Sequence, residues 1–298
     1  MKIQRISTNN ILTKSNTPLG GYCANPYVGC SHACKYCYAS FMKRFTGHTE
    51  EWGSFLDVKD WEPIVNIKKY NGAKILIGSV TDPYNPQEEE YERTRALLEE
   101  LSQINVTLTI ITKSDLILRD LDLLKQFKNL TVAWSINTLD EGFKNDMDCA
   151  SSIKRRLDAM ERFYKAGIRT VCFISPIFPG ITNVFDIIER VKNQCDFVWL
   201  ENLNLRGNFR QPILSYIATH HADKFSLYKA IYMDKDNTYW RDLADEVKAY
   251  CQKHHYPYAD NITAEGRATR GKPTIVNYFF HEEVRGSNNT GIRQKRGE

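Results

Sequence analysis

Cys30-Ser31-His32-Ala33-Cys34-Lys35-Tyr36-Cys37 constrains this chain more than any other stretch, because three thiols separated by three and then two residues can close on one inorganic centre. A cubane [4Fe–4S] cluster normally takes four thiolates. No further cysteine follows at matching spacing, so the loop predicts a cluster with one iron left open to a small molecule. Zinc is the first competitor, since His32, His48 or Cys23 can complete a tetrahedral set. Zinc ligand pairs normally come as two knuckles about a dozen or more residues apart, however, and no second pair follows here. Disulfides are the second competitor, and they need an oxidising compartment. Met1-Lys2-Ile3-Gln4-Arg5 lacks the apolar core of a signal peptide, and no segment approaches the apolar run of a membrane span. The other thiols, Cys23, Cys149, Cys172, Cys195 and Cys251, are scattered, which suits a reducing cytoplasm and no membrane partner.

From residue 73 onward, apolar runs of strand length alternate with helical spacing. Strands are expected over 74–80, 106–111, 130–136, 169–175 and 197–201, with helices over 88–103, 116–127, 153–166 and 184–193. Gly167 is expected to cap the third of these helices. Strands apolar on both faces and separated by helices imply a parallel sheet. With the element before the cysteines they make six β/α units, too few to close an eight-fold barrel. The predicted fold is therefore α/β, a partial (β/α)6 TIM-type barrel with a C-terminal extension.

The expected division is an N-terminal arm over 1–19, a core over 20–205, an extension over 206–285 that closes the barrel, and a flexible basic tail over 286–298 with Arg293, Lys295 and Arg296. The extension should carry helices over 213–219 and 239–254 and a strand over 274–280. Residues 41–63 read as a long connection with a short helix, His48 within it as solvated, and His281-Glu282-Glu283 as surface. A net charge of +4 is too mild to predict a partner by itself.

In parallel α/β folds ligands sit at the C-terminal ends of strands. Polar residues cluster there: Ser79, Thr81 and Asp82; Thr112, Lys113 and Ser114; Ser135 and Asn137; Ser175; Glu201 and Asn202. Such residues also cap the helices that follow, and for Asp115, Ser151 and Thr182 capping is the expected role.

Cys-x3-Cys-x2-Cys with an aromatic, Tyr36, before the last cysteine resembles the cluster loop of the radical S-adenosylmethionine (radical SAM) enzymes. The wider string Asn-Pro-Tyr-x-Gly-Cys-x-His-x-Cys-x-Tyr-Cys-Tyr-Ala at 25–39 is similar to the branch that includes spore photoproduct lyase. So are Ser-Val-Thr-Asp-Pro-Tyr-Asn-Pro-x-Glu at 79–88, Ile-Thr-Lys-Ser at 111–114 and Pro-Gly at 179–180. The resemblance implies that Cys30, Cys34 and Cys37 hold a [4Fe–4S] cluster whose open iron is chelated by S-adenosyl-L-methionine (SAM). Reductive cleavage of SAM would then give a 5′-deoxyadenosyl radical. It also implies SAM contacts from Lys113, Ser135 and the loop beginning at Ser175, beside Tyr36, Ser79, Thr81 and Asp82, and an electron donor such as flavodoxin or ferredoxin. Residues 10–16 and 200–206 resemble the radical SAM mobile pair proteins more closely still, which implies a second radical SAM protein as partner.

One departure stands out. Photoproduct lyase has a cysteine beside its Ser/Thr-Asp segment that returns a hydrogen atom to DNA, whereas Ser79 and Val80 stand here, and neither can donate one. Cys172, Cys23, Tyr22 and Tyr84 are the other candidate donors. The expected function is hydrogen abstraction from a substrate such as a nucleoside, a nucleic acid or a peptide. The alternatives are a DNA or RNA lesion-repair lyase, with Arg206, Arg210, Arg267 and Arg270 on phosphates, and a non-catalytic zinc-binding interaction module.

Overall fold

Period-two alternation along the apolar runs sets the architecture, because it turns each strand's odd and even residues to opposite faces of one sheet. The computed structural model describes residues 1–261 and 271–277. Residues 278–280 of the last expected strand, His281-Glu282-Glu283, Arg267, Arg270 and the tail arginines and lysine lie outside them.

The chain opens with β1 (Lys2–Ser7), β2 (Leu12–Lys14), β3 (Tyr22–Ala24), β4 (Tyr27–Gly29), β5 (Phe55–Asp60) and β6 (Lys74–Ile77). There follow α1 (Glu88–Tyr91), α2 (Arg93–Leu101), β7 (Thr107–Thr112), α3 (Leu121–Leu124), β8 (Asn129–Ser135), α4 (Glu141–Met147) and α5 (Ile153–Lys165). Then come β9 (Arg169–Ile177), α6 (Val184–Val191), β10 (Phe197–Asn202), α7 (Arg210–His220), α8 (Phe225–Tyr232), α9 (Thr238–His254), β11 (Tyr258–Ala259) and β12 (Thr274–Val276).

The six expected strands pair in parallel in the order β3-β6-β7-β8-β9-β10. The sheet continues through β12 and β11, both parallel, and ends at its other side in antiparallel β2. Among the described residues its two edges do not pair, so the barrel is open. Ile75, Ile110, Trp134, Ile174 and Leu200 pack outward against helix residues such as Leu98, Met160, Phe163 and Ile188. Ala133, Val171, Phe173, Phe197 and Trp199 fill the concave side, joined by Ala259 and Val276 of the extension.

Several local expectations change. Residues 2–7 form β1, which pairs with β5 in a separate three-stranded sheet β1-β5-β4; neither strand alternates strongly enough in burial to be seen from one sequence. The helix expected over 88–103 breaks at Glu92, whose φ is +50°. The buried Glu88 carboxylate takes the N–H groups of Thr94 (2.8 Å) and Arg95 (3.1 Å) and so starts α2 afresh. Gly167 does end α5, with a φ of +85°. Asp115 stands at the N-cap position of the short 3-10 helix Leu116–Asp120 without a side-chain capping bond, and Ser151 and Thr182 do not cap. Ser152 and Asn183 accept the first free N–H groups of α5 and α6 instead. His48 is buried, not solvated, stacked on Phe55 at 3.9 Å with Nε2 2.7 Å from Asp57.

Candidate active site

The parity that buries Ile110, Trp134, Ile174 and Leu200 against helices leaves the last concave residue of each strand or its turn facing the barrel interior. Those residues are Lys113, Ser135, Ser175 and Glu201, and with Cys30, Cys34 and Cys37 they line one inner cavity of about 270 Å³. Ser79, Thr81 and Asp82 line it too, and Tyr36 lines the adjoining outer chamber of about 970 Å³. The two spaces share Cys34, Cys37, Tyr38, Lys113, Ser175 and Glu201 in their walls, so the chamber lies against the cavity. Sizes of this order suit small-molecule sites.

The loop that carries Cys30, Cys34 and Cys37 is launched from β4, since Pro26 has no N–H to extend β3. Gly29 turns with a φ of +89°, and Ala33 lies at +47°. Within the loop Ala33 N–H donates to Cys30 O and Cys37 N–H to Cys34 O, winding the thiols inward. Two further backbone bonds, Lys35 N–H to Met147 O (2.9 Å) and Cys149 N–H to His32 O (2.8 Å), fasten it to the turn after α4. Tyr36 OH donates to Asp148 at 3.1 Å. Asp148 in turn receives fully buried Arg156 at 2.7 Å, and Arg156 also donates to the carbonyl of Ser135.

Burial pushes the Cys30 thiol up to about 12 and raises Cys34 and Cys37 as well, while Lys113 works in the opposite direction on the last two. Thiols so placed ionise only when a cation faces them, as cluster iron would. All three are free and share one cavity, so the donor set fits a cluster. Among the described residues no three His, Cys, Asp or Glu side chains gather at single-ion spacing. The two imidazoles considered for zinc face carboxylates, His32 at 3.2 Å from Asp82 and His48 at 2.7 Å from Asp57.

Asp82 takes the Thr112 hydroxyl and the Lys113 N–H, each at 2.7 Å, and the Tyr84 N–H at 2.9 Å. Burial alone would raise its carboxyl; His32 and these donors hold it near 2. Asp82 thereby fixes the backbone from which Lys113 projects. Thr81 donates to Gly29 O (2.6 Å), and Ser79 Oγ receives Asn25 Nδ2 (3.0 Å). Lys113 stays charged although burial opposes it, because Cys34 and Asp148 raise it; its Nζ lies 5.6 Å over the Tyr36 ring.

Sequence reasoning placed Glu201 at a strand end without giving it a role. The register between β9 and β10 shifts at Leu200/Asn202 and leaves Glu201 off the ladder. It accepts from the Ser175 hydroxyl. Burial lifts its carboxyl to about 7, against the pull of Ser175 and Lys113. Of the candidate hydrogen donors, Cys172 and Tyr84 lie in the sheet–helix core and Tyr22 packs on Tyr70 at that core's edge. Cys23 lines a neighbouring cavity with Tyr38 and Trp52.

Residues 24–189 match the family model described as the Radical SAM superfamily. An uncharacterised protein of Methanocaldococcus jannaschii is 37% identical over 248 residues, which is 83% of this chain and 92% of that one. A radical SAM Nα-GlyT isomerase of Pseudomonas phage M6 is 27% identical over 173 residues, 57% of this chain and 34% of that one. Among solved structures, a spore photoproduct lyase mutant shares the fold with a TM-score of 0.62 at 15% identity, covering 92% of this chain and 82% of that one.

Proposed function

The chain belongs to the radical SAM superfamily, and on that premise we propose that it binds a [4Fe–4S] cluster and SAM in the inner cavity and abstracts hydrogen from a substrate held in the outer chamber. The supporting observation is that three thiols, of which Cys30 is buried and Cys34 and Cys37 are half-buried, a half-buried lysine and two serines line one cavity beside a larger chamber. Bound there, the cluster would supply the one electron that reductive cleavage of the SAM sulfonium requires.

The protein's own residues bind, orient and shield. Cys30, Cys34 and Cys37 hold the cluster. Lys113, positioned by Asp82, meets the SAM carboxylate. The Ser135 hydroxyl donates to that carboxylate or to the ribose, and the backbone from Ser175 flanks the adenine. Phe173 and Leu76 exclude water from the cavity wall. Glu201, at the junction of cavity and chamber, accepts a hydrogen bond from the substrate.

With Ser79 and Val80 in place of a donor cysteine, a substrate other than a thymine photoproduct is favoured. A nucleic-acid substrate is the second reading. Lys43, Arg44 and Arg206 line the chamber. Tyr38, Phe41 and Phe45 are exposed beside them, and Arg44 stacks on both phenylalanines. Cations interleaved with open aromatics suit stacked bases and phosphates; that reading predicts oligonucleotide binding that weakens steeply with salt. A flavodoxin- or ferredoxin-type reductant and a second radical SAM protein are the proposed partners.

Anaerobic reconstitution with iron and sulfide, then dithionite and SAM, tests the main reading by release of 5′-deoxyadenosine. Cys34→Ala is expected to lose both the iron and the product. A fully loaded chain that never yields 5′-deoxyadenosine, or a Cys34→Ala variant that does, overturns it.

A further inference from the structure

A pocket of about 430 Å³ lies where the main sheet meets the three-stranded one, with residues of β2 and β3 in its wall beside residues of β4 and β5. Lys14 of β2 and Lys59 of β5 both line it, and among the described residues no Asp or Glu does. A lysine on an edge strand such as β2 is ordinary, because it discourages pairing with another chain. Lys59 is different. It is half-buried, and burial lowers its ammonium below the ordinary value. The acids beside it in β5 are already engaged: Asp57 faces His48 Nε2 at 2.7 Å, and Asp60 receives Arg5 Nε at 2.7 Å. Neither lysine forms a salt bridge among the described residues. Burying a cation is unfavourable unless an anion meets it. Tyr27, Tyr38 and Trp52 line the same pocket, and a space of this size suits a small molecule rather than a bare ion.

We propose that this pocket is a second ligand site, for a phosphate group carried on a planar ring, as in a mononucleotide. Lysine ammonium groups bind phosphate as point charges, and aromatic walls take a flat base by stacking. The site is distinct from the one the cluster reading needs, since none of Cys30, Cys34, Cys37 or Lys113 lines it. It adjoins that site, however. Tyr38, Ser79 and Val80 stand in the walls of both the pocket and the inner cavity, and the Tyr38 hydroxyl donates to the Ser79 carbonyl. A ligand seated in the pocket therefore lies against the wall of the reaction space.

The test is calorimetric titration of the full chain with uridine 5′-monophosphate, uridine and ribose 5-phosphate. The monophosphate is expected to bind about tenfold or more tightly than either of the others, and Lys14→Gln or Lys59→Gln to weaken it about tenfold. Lys59→Arg is expected to retain binding, and Arg44→Gln, in the outer chamber, to leave it unchanged. Uridine binding as tightly as its monophosphate overturns the phosphate assignment, and ribose 5-phosphate doing so overturns the ring. The proposal also falls if the folded chain does not bind the monophosphate, if both lysine variants bind it as the unaltered chain does, or if Arg44→Gln alone weakens it. Lys14 is exposed, so its variant keeps the measurement decisive should Lys59→Gln not fold. Titrations are run with and without reconstituted iron. Binding by the iron-free chain is expected, so a chain that takes up no iron would remove the cluster reading and leave this result standing.

Discussion

Lys113 shows how one side chain serves two neighbours. Its ammonium is buried, which opposes charge, yet Cys34 and Asp148 keep it protonated, and Asp82 fixes its backbone. Removing it leaves the three thiols in place. Lys113→Ala is therefore expected to reconstitute with full iron content and to bind SAM about tenfold to a hundredfold more weakly, since one charge-assisted bond contributes about 1.5–3 kcal/mol; equilibrium binding of SAM to the loaded chain measures it. Glu201 carries a pH dependence. Its carboxyl ordinarily titrates at 4.5 and here at about 7, so the folded chain holds that proton more tightly than the unfolded one. Its contribution is complete below about pH 4.5 and is lost as pH rises through 7, roughly 3 kcal/mol in all. Denaturation midpoints of the cluster-free chain should show that part of the decline, and Glu201→Gln should lack it. Cys30, Cys34, Cys37 and Lys113 were legible in the sequence because spacing and strand-end position are local properties. Glu201 was visible only as a polar residue at a strand end, because its raised carboxyl depends on what encloses it.

At the scale of elements, the short helix α4 matters more than its length suggests. It has no apolar period long enough to be read in advance, and it starts on Asp140, which accepts the N–H groups of Gly142 and Phe143. The turn after it receives the cluster loop through backbone bonds at Met147 and Cys149 and through Asp148. Arg156 on α5 closes the network, bridging Asp148, Ser151 and Ser135. Arg156→Met should cost about 3 kcal/mol in chemical denaturation, because it removes the closest cation from the buried Asp148 carboxylate and leaves Lys144 at 3.5 Å as the nearest one. Iron retention should fall with it as Tyr36 loses its anchor. Residues 41–63, expected as a connection with a short helix, also hold the strand β5, which is specified by partners in β1 and β4 rather than by its own pattern.

Over the whole molecule, the sheet is a wall with two chemically different sides. Cys172 lies in the fully buried layer between sheet and helices, and the thiols of the cluster loop lie on the concave side. Cys172→Ser is therefore expected to leave 5′-deoxyadenosine formation unchanged while lowering the denaturation midpoint slightly; a large loss of product would place that thiol in the chemistry. Among the described residues no helix is long and apolar enough to cross a membrane. The amino-acid sequence alone determined the six parallel strands and the cluster loop, because side-chain alternation and thiol spacing act over a few residues and need no partner to be read. The tertiary structure decided the rest: Tyr36 reaches Asp148 across 112 residues, and Ser175 reaches Glu201 across 26. Contacts of that kind exist only after the strands have closed around a common interior, and neither end of such a contact marks the other in advance.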